Sequence, residues 1–264
     1  MEYKIVCDGV VKSYSTRKNG DNCINAIDNL SLAIRESEIF TLVGPTGCGK
    51  TSTLNLIAGF EFPSAGSIAI DGVPVTCPGP DRAVVFQQAS LFPWLTVLGN
   101  VTLGVKSQGM PRSEYTQRAE TLLNAVGLTG FEDSYPYQLS GGMQQRTQIA
   151  RALISNPRVL LMDEPFGALD YQTRIAMQLL VLELSNKFRP TIFFITHDVS
   201  EAIFISDRVA VMSRRPGRIK SISPVNIPKP RTLDVITSPE FTKIQHDVLI
   251  SVQEESLELI RAQQ

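Results

Sequence analysis

With 264 residues and 43% hydrophobic content, the chain is long enough for one large α/β domain or one domain with small appendages. A formal net charge of −1, without any run of five or more basic residues, disfavours nucleic acid as the main partner. No apolar stretch approaches the ~20 residues needed to cross a bilayer, the N-terminus lacks a signal-peptide pattern, and Cys7, Cys23, Cys48 and Cys77 have no metal-ligand spacing. These features predict a soluble, cytosolic chain with reduced thiols, one that would need another chain to cross a membrane if it works at one.

Taken in order, residues 3–7 and 10–14 read as two short strands. The polar segment 16–25 follows, where Lys18-Asn19-Gly20 favours a tight hairpin turn. Residues 30–34 alternate as a half-buried strand. Short strands of this kind, ahead of a more apolar region, suggest a partly antiparallel sheet beside a parallel core.

An apolar run at 39–43 leads into Gly44-Pro45-Thr46-Gly47-Cys48-Gly49-Lys50-Thr51-Ser52, and a helix-forming run at 51–58 ends at Gly59. Strand, glycine-rich turn and helix are the context of a phosphate-binding loop. Glycines let backbone N–H groups turn inward and approach phosphate without a Cβ clash, and the helix N-terminus adds free donors and partial positive charge. Lys50 would reach the β- and γ-phosphates as a point charge, while the Thr51 hydroxyl would ligate Mg²⁺. The chain is therefore expected to bind a nucleoside triphosphate. Tyr14 is then either a ring on which adenine stacks, worth ~1–3 kcal/mol by analogy with base–aromatic stacking, or an ordinary strand aromatic. Cys48, at a helix N-terminus two residues from Lys50, is expected either to carry more thiolate character than a free cysteine and be shielded by Mg-ATP, or to point its side chain into the domain core with only its N–H facing phosphate.

After a turn at 63–66 and a strand at 67–70, residues 83–86 form a β-prone run that ends in Gln87-Gln88. That polar pair is either a site at a strand end, where α/β sheets place them, or a plain exit into a loop. Residues 89–138 change character: 96–103 and 113–126 have helical apolar spacing, with Ser113 a plausible N-cap and Gly127 a stop. Pro93-Trp94 carries the only tryptophan, either a core ring or a partner-facing anchor.

Leu139-Ser140-Gly141-Gly142-Met143-Gln144-Gln145-Arg146 opens a helix running to about residue 154. Ser140 suits the N-cap, and the glycines leave backbone donors open, a second anion-ready helix start with no lysine of its own. Residues 159–164 read as a buried parallel strand ending in two carboxylates. Asp163 would hold the Mg²⁺ shell through water and Glu164 would polarise the attacking water. Ala168-Leu169-Asp170 leads into a long helix to about residue 187. The last core strand, 191–196, ends in His197-Asp198, and His197 is either a γ-phosphate sensor or a structural histidine. Residues 209–212 and 218–223 read as edge strands and 227–232 as a linker. Ser238 and Pro239 start a helix to about residue 260, with Phe241, Ile244, Val248 and Val252 on one face.

Together these motifs resemble the ATP-binding subunit of ATP-binding-cassette (ABC) transporters, over roughly residues 3–223. In the terms of that family, Walker A is 44–51, the Q-loop glutamine is Gln87, and the signature is LSGGM at 139–143. Walker B is 160–163 with Glu164 following, the D-loop is 168–170, the switch histidine is His197, and Tyr14 falls at the adenine-stacking aromatic. The resemblance implies an α/β P-loop NTPase fold with an antiparallel β-subdomain and a helical subdomain. Its expected boundaries are 1–225 for the ATPase domain, about 88–138 for the helical subdomain, and 226–264 for a linker and C-terminal helix. It implies Glu164, His197 and Gln87 as catalytic residues. Thr51, Gln87 and Asp163 fall to Mg²⁺, and Tyr14, residues 44–52, Ser140, Gly141, Gly142, Gln144 and Asp170 to ATP. FQQASLFPW at 86–94, FGALD at 166–170 and RRPGRI at 214–219 look like the nitrate, sulfonate and taurine importer branch. The implied assembly is a head-to-tail pair of such subunits, identical or closely homologous, sandwiching two ATP molecules. The pair would dock on integral membrane permeases at the cytoplasmic face of the inner membrane, be served indirectly by a solute-binding protein, and leave nucleic acid aside. The rival expectation is a non-transport cassette ATPase acting on a soluble complex.

Overall fold

Two antiparallel strands, β1 (Tyr3–Ser15) and β2 (Cys23–Arg35), begin the chain. The computed structural model describes residues 3–15 and 23–262, with side chains described as far as Glu255. The hairpin turn predicted at Lys18-Asn19-Gly20 lies outside the described residues. The two short strands expected before it are one strand. Gly9, at φ +56°, forms a bulge where the register shifts between Cys7 and Val10, and its N–H donates to Ser31 Oγ at 3.0 Å. Asp8-Gly9 looks like a break in the sequence, whereas the folded chain absorbs it as one extra residue and continues pairing.

The chain divides into two compact units, residues 1–79 with 191–264 and residues 80–190. In the first, β1 and β2 join β4 (Ala65–Ile70) and β5 (Val73–Pro74) in an antiparallel sheet of order β2-β1-β4-β5. Beside it β3 (Ile39–Val43) pairs in parallel with both β8 (Thr191–Ile195) and β9 (Arg208–Met212), and β10 (Ile219–Pro224) closes antiparallel on β9. All five residues of β3 and all five of β8 are buried, so continuous apolar runs, not alternation, mark these central strands. Phe40 and Phe193 stack at 6.3 Å across the pair.

Helices α1 (Lys50–Ala58), α6 (Val199–Ile205) and α7 (Pro239–Ala262) belong to this unit. Ser238 Oγ accepts from Phe241 N at 3.2 Å and starts α7. Phe241 and Val248 are buried, and Gln245 Nε2 donates to Ser200 Oγ of α6 at 2.7 Å. The stretch read as a linker is itself held down. Arg231 is buried, and its guanidinium donates to the carbonyls of Ile203, Phe204 and Ser206 at 2.8–3.0 Å, which closes the C-terminal end of α6.

The second unit holds a parallel pair, β6 (Arg82–Val85) with β7 (Val159–Asp163), and helices α2 (Val97–Ser107), α3 (Arg112–Ala125), α4 (Gly141–Leu153) and α5 (Tyr171–Phe188). Ser113 does not cap α3. The cap position falls on Pro111, whose ring presets φ for the helical turn, so Ser113 is already inside the helix. Trp94 is not a core residue: its ring is 70% exposed and meets Phe92 at 5.4 Å. The cause is Asn100, buried in α2. Its amide accepts from Phe92 N at 2.8 Å and donates to the carbonyls of Phe92, Leu95 and Thr96, a clamp that leaves Pro93-Trp94 on the outside of the loop.

Candidate nucleotide-binding and hydrolysis site

The loop at 44–49 leaves the end of β3 and enters α1 with Lys50 as the first helical residue. Gly47 sits at φ +76° and Gly49 at φ +113°, backbone conformations that side chains rarely adopt. At Gly44 a methyl group would stand 2.8 Å from the Met212 carbonyl oxygen, so the loop passes flush against the end of β9. Lys50 is only 7% exposed, and its ammonium folds across the loop to the carbonyls of Gly44 at 2.9 Å and Pro45 at 3.1 Å. Thr46 and Gly47 at the loop's crest are exposed, as is Thr51 in the first helical turn. The arrangement presents backbone donors, a lysine cation and a hydroxyl at one exposed helix start, the donor set a polyphosphate needs.

His197 follows β8, whose Ile195 pairs in register with Leu42 of β3. The phosphate loop and His197 therefore leave adjacent parallel strands at the same carboxyl edge, and His197 is exposed there. Asp198 next to it caps α6, accepting from Ser200 N at 2.8 Å and Glu201 N at 3.1 Å.

Tyr14 is partly exposed and pinned by its hydroxyl, which donates to Glu61 Oε2 at 2.6 Å and lies 3.2 Å from Ser52 Oγ. Lys12 stands 5.0 Å from the ring centroid and pairs with Glu61 at 3.1 Å. Burial raises the Glu61 carboxyl, but hydrogen bonds from Tyr14, Lys12 and Asn55 outweigh it and hold the group below the usual carboxylate range. The tyrosine is thus tied to the phosphate-loop helix through Ser52 and to the segment after that helix through Glu61. Sequence reasoning missed Lys12 and Glu61. The only signal was Lys12's place two residues before Tyr14, on the same face of the strand.

Cys48 departs from its expected chemistry. Its side chain is 1% exposed and burial pushes the thiol up, against the smaller opposing pull of Lys50. The side chain packs into the domain. Maleimide at neutral pH should therefore label the exposed Cys23 and Cys77 and leave Cys48 unmodified, with or without Mg-ATP. Peptide mapping by mass spectrometry reads this directly, and nucleotide-sensitive labelling of Cys48 would overturn the buried orientation.

In the second unit, Val85 of β6 pairs with Met162 of β7, so Gln87 and the Asp163-Glu164 pair also leave one shared carboxyl edge. Glu164 adopts a left-handed backbone at φ +43°, and its carbonyl accepts from Gly167 N at 3.1 Å. A methyl at Gly167 would lie 3.3 Å from Gln87 Nε2 and 3.9 Å from Glu164 Oε2, which brings these two side chains to the same glycine. A non-glycine residue held in this conformation stores on the order of 1–3 kcal/mol, a cost met chiefly at sites that need a fixed geometry.

Ser140 caps α4, accepting from Met143 N at 3.3 Å. At Gly142 a methyl would stand 2.6 Å from Thr173 Cγ2, and at Gly141 3.7 Å from Leu169 Cδ2, so the start of α4 packs against the turn at 168–170. Asp170 is exposed at the cap of α5, and hydrogen bonds from the Thr173 hydroxyl and amide lower its carboxyl. Gln144 turns inward: its amide donates to the carbonyls of Pro136 at 2.9 Å and Leu139 at 3.3 Å, which braces the approach to Ser140. Among the described residues no group of three or more His, Cys, Asp or Glu side chains is placed to hold a metal. Magnesium carried by phosphate oxygens asks only for one or two protein oxygens and keeps waters, a demand the exposed Thr51 hydroxyl fits.

A glycine-rich loop between a central parallel strand and a helix, with its lysine folded into the loop, defines a P-loop nucleoside-triphosphate-binding fold. Comparison with known proteins narrows this. The ABC transporter family model matches residues 27–167. An uncharacterised ABC transporter ATP-binding protein of Methanocaldococcus jannaschii is 46% identical over 261 residues, covering 99% of this chain and 96% of that one. The nitrate import ATP-binding protein NrtD of Synechocystis sp. is 45% identical over 229 residues, 84% of this chain and 86% of the relative. Among solved structures, a dimeric ATP-binding cassette in a post-hydrolysis state bound to ADP and Pi is 32% identical with a TM-score of 0.72, covering 84% of this chain and 99% of that one. The chain belongs to the ABC transporter family as an ATP-binding subunit, and it is an ATPase.

Proposed function

We propose that this chain is the ATP-hydrolysing subunit of an importer for a small anionic solute, an oxyanion or sulfonate of the nitrate, sulfonate or taurine kind. The observation that carries the reading lies within each unit. The phosphate loop and His197 share one strand edge in the first, and Gln87, Asp163 and Glu164 share one in the second. The likeness to a nitrate import subunit supports the solute class.

In the first unit Lys50 and the loop amides hold the phosphates, Thr51 supplies an oxygen to magnesium, Tyr14 offers its ring to adenine, and His197 meets the γ-phosphate. In the second, Asp163 suits the metal's water shell, Glu164 orients the attacking water, and Gln87 stands beside it. Magnesium would offset phosphate charge as the bond to the γ-phosphoryl breaks. Ser140, Gly141 and Gly142 form an anion-ready helix start with no lysine of its own in the motif, which suits a phosphate delivered by a second copy of the subunit, with Asp170 nearby at the cap of the next helix. The dimeric neighbour supports such pairing. The pair would sit on membrane permeases at the cytoplasmic face; no helix among the described residues is long and apolar enough to cross a membrane itself.

The test is reconstitution of the chain with its permease and binding protein in liposomes. ATP-driven uptake of isotopically labelled nitrate or taurine is expected. ATPase activity stimulated by DNA or ribosomes and indifferent to the permease would sink the reading. Trp94→Ala should reduce uptake several-fold while leaving the isolated subunit's fold and ATP affinity unchanged, because the ring is 70% exposed and its aromatic contact is with Phe92 of the same loop. Circular dichroism and nucleotide titration check the second half, and a loss of ATP affinity there would remove the coupling role.

A further inference from the structure

The turn after β9 presses directly on the phosphate loop. Gly217 is buried, and a methyl there would stand 2.2 Å from the Cys48 carbonyl oxygen. Its N–H donates to Ala26 O at 2.9 Å and its carbonyl accepts from Asp28 N at 3.0 Å, so the turn is stitched to β2 on its other side. Arg218 adds an ion pair with Asp28. Met212, where the turn begins, contributes the Cε that would sit 3.1 Å from a methyl on Gly49. Two of the loop's backbone positions, Cys48 and Gly49, are thus bounded by this one segment.

The same turn is held from outside by the C-terminal helix. Glu255 of α7 is only 7% exposed, and its carboxylate accepts from Arg214 N at 2.9 Å. It also pairs with Lys220 at 2.9 Å, and Lys220 donates to Ser251 O at 3.1 Å. Burial raises the Glu255 carboxyl, but the Arg214 amide and Lys220 outweigh it, so the group stays ionised at neutral pH. Burial and the Glu61 carboxylate raise the Tyr14 hydroxyl, and Arg215, farther along the turn, is a smaller influence in the opposite direction. A buried carboxylate on α7 therefore fastens one end of a segment whose other end bounds the phosphate loop.

We propose that Glu255 is a positioning residue for ATP binding: through the Arg214 amide it fixes the turn at 213–218, and the turn fixes the backbone of Cys48 and Gly49 in the phosphate-binding conformation. This rests on the reading that the phosphate loop is the ATP site. The C-terminal helix is then part of the nucleotide machinery at a distance, and whatever displaces α7 would loosen ATP binding without touching a catalytic group.

The test is ATP affinity and steady-state ATPase kinetics on full-length variants. Glu255→Ala should raise the KM for ATP about tenfold, the effect of losing one charge-assisted hydrogen bond that holds a binding element. Its kcat at saturating ATP should stay within about twofold. Glu255→Gln, which keeps an oxygen for the Arg214 amide, should recover most of the affinity. Gly217→Ala leaves α7 intact and pushes the Cys48 carbonyl directly, so it should give the same KM increase and serves if Glu255→Ala folds poorly. A parental KM in a folded Glu255→Ala, or in Gly217→Ala, overturns the inference. Lys50→Ala in the same assay separates the two failures. If it weakens binding while the other variants do not affect it, only the positioning role is wrong; if it too leaves binding intact, the ATP-site reading falls with it.

Discussion

Glu164→Gln should bind ATP as the parent does and hydrolyse it at least about 100-fold more slowly, the range a positioned general base contributes. The carboxylate follows Asp163 at the end of β7, its backbone is held left-handed at φ +43°, and its Oε2 lies against Gly167 beside the Gln87 amide. Glutamine keeps the volume and one oxygen, so packing is undisturbed, but it cannot draw a proton from water. Two copies that sandwich ATP should be held closed by it and released by its hydrolysis, so with Mg-ATP the variant should also accumulate as a closed dimer. Light scattering reads the dimer and phosphate release reads turnover. Hydrolysis within a few-fold of the parent would remove Glu164 from the role.

Lys50→Ala should weaken ATP binding by roughly 10- to 100-fold, matching the loss of about 1.5–3 kcal/mol for hydrogen bonds made by a charged group. The ammonium already lies inside the loop, bound to the Gly44 and Pro45 carbonyls, where phosphate oxygens would be stronger partners. Arginine should not rescue it. The guanidinium is planar and bulkier than an ammonium, and the lysine side chain it would replace is buried, Lys50 being 7% exposed. Titration with a fluorescent ATP analogue measures the loss, and thermal melting of the apo variant checks that the fold survives. Unchanged affinity in a folded Lys50→Ala would refute phosphate binding at this loop.

Several elements were legible because their identity is their chemistry. Ile39–Val43, apolar but for Thr41, and Val159–Asp163, apolar up to its final carboxylate, announce buried parallel strands, since strands covered on both faces have no polar side to alternate. The glycines, lysine and threonine at 44–51 announce a phosphate loop because few other residue types permit that backbone or supply that charge. Ser140 and Ser238 read correctly as helix caps, a signal carried by one side chain and the amide three residues on. All of these depend on neighbours close in the chain.

What the linear pattern left undecided depends on tertiary contacts, most of them made across long separations. Asp8-Gly9 reads as a break between two short strands, and pairing with β2 and β4 makes it a bulge within one. Trp94 points outward because Asn100, six residues later, clamps the loop from inside. Cys48 carries the residue type and position of an activated thiol, yet the fold buries its side chain, and desolvation outweighs Lys50. Tyr14 is set by Glu61, and Cys48 by Gly217 and, beyond it, Glu255. Local sequence determines which backbone conformations and which charges are available. The direction a side chain faces, and therefore whether its chemistry is exposed or buried, is decided only when the folded segments, many of them far apart in the chain, compete for the same space.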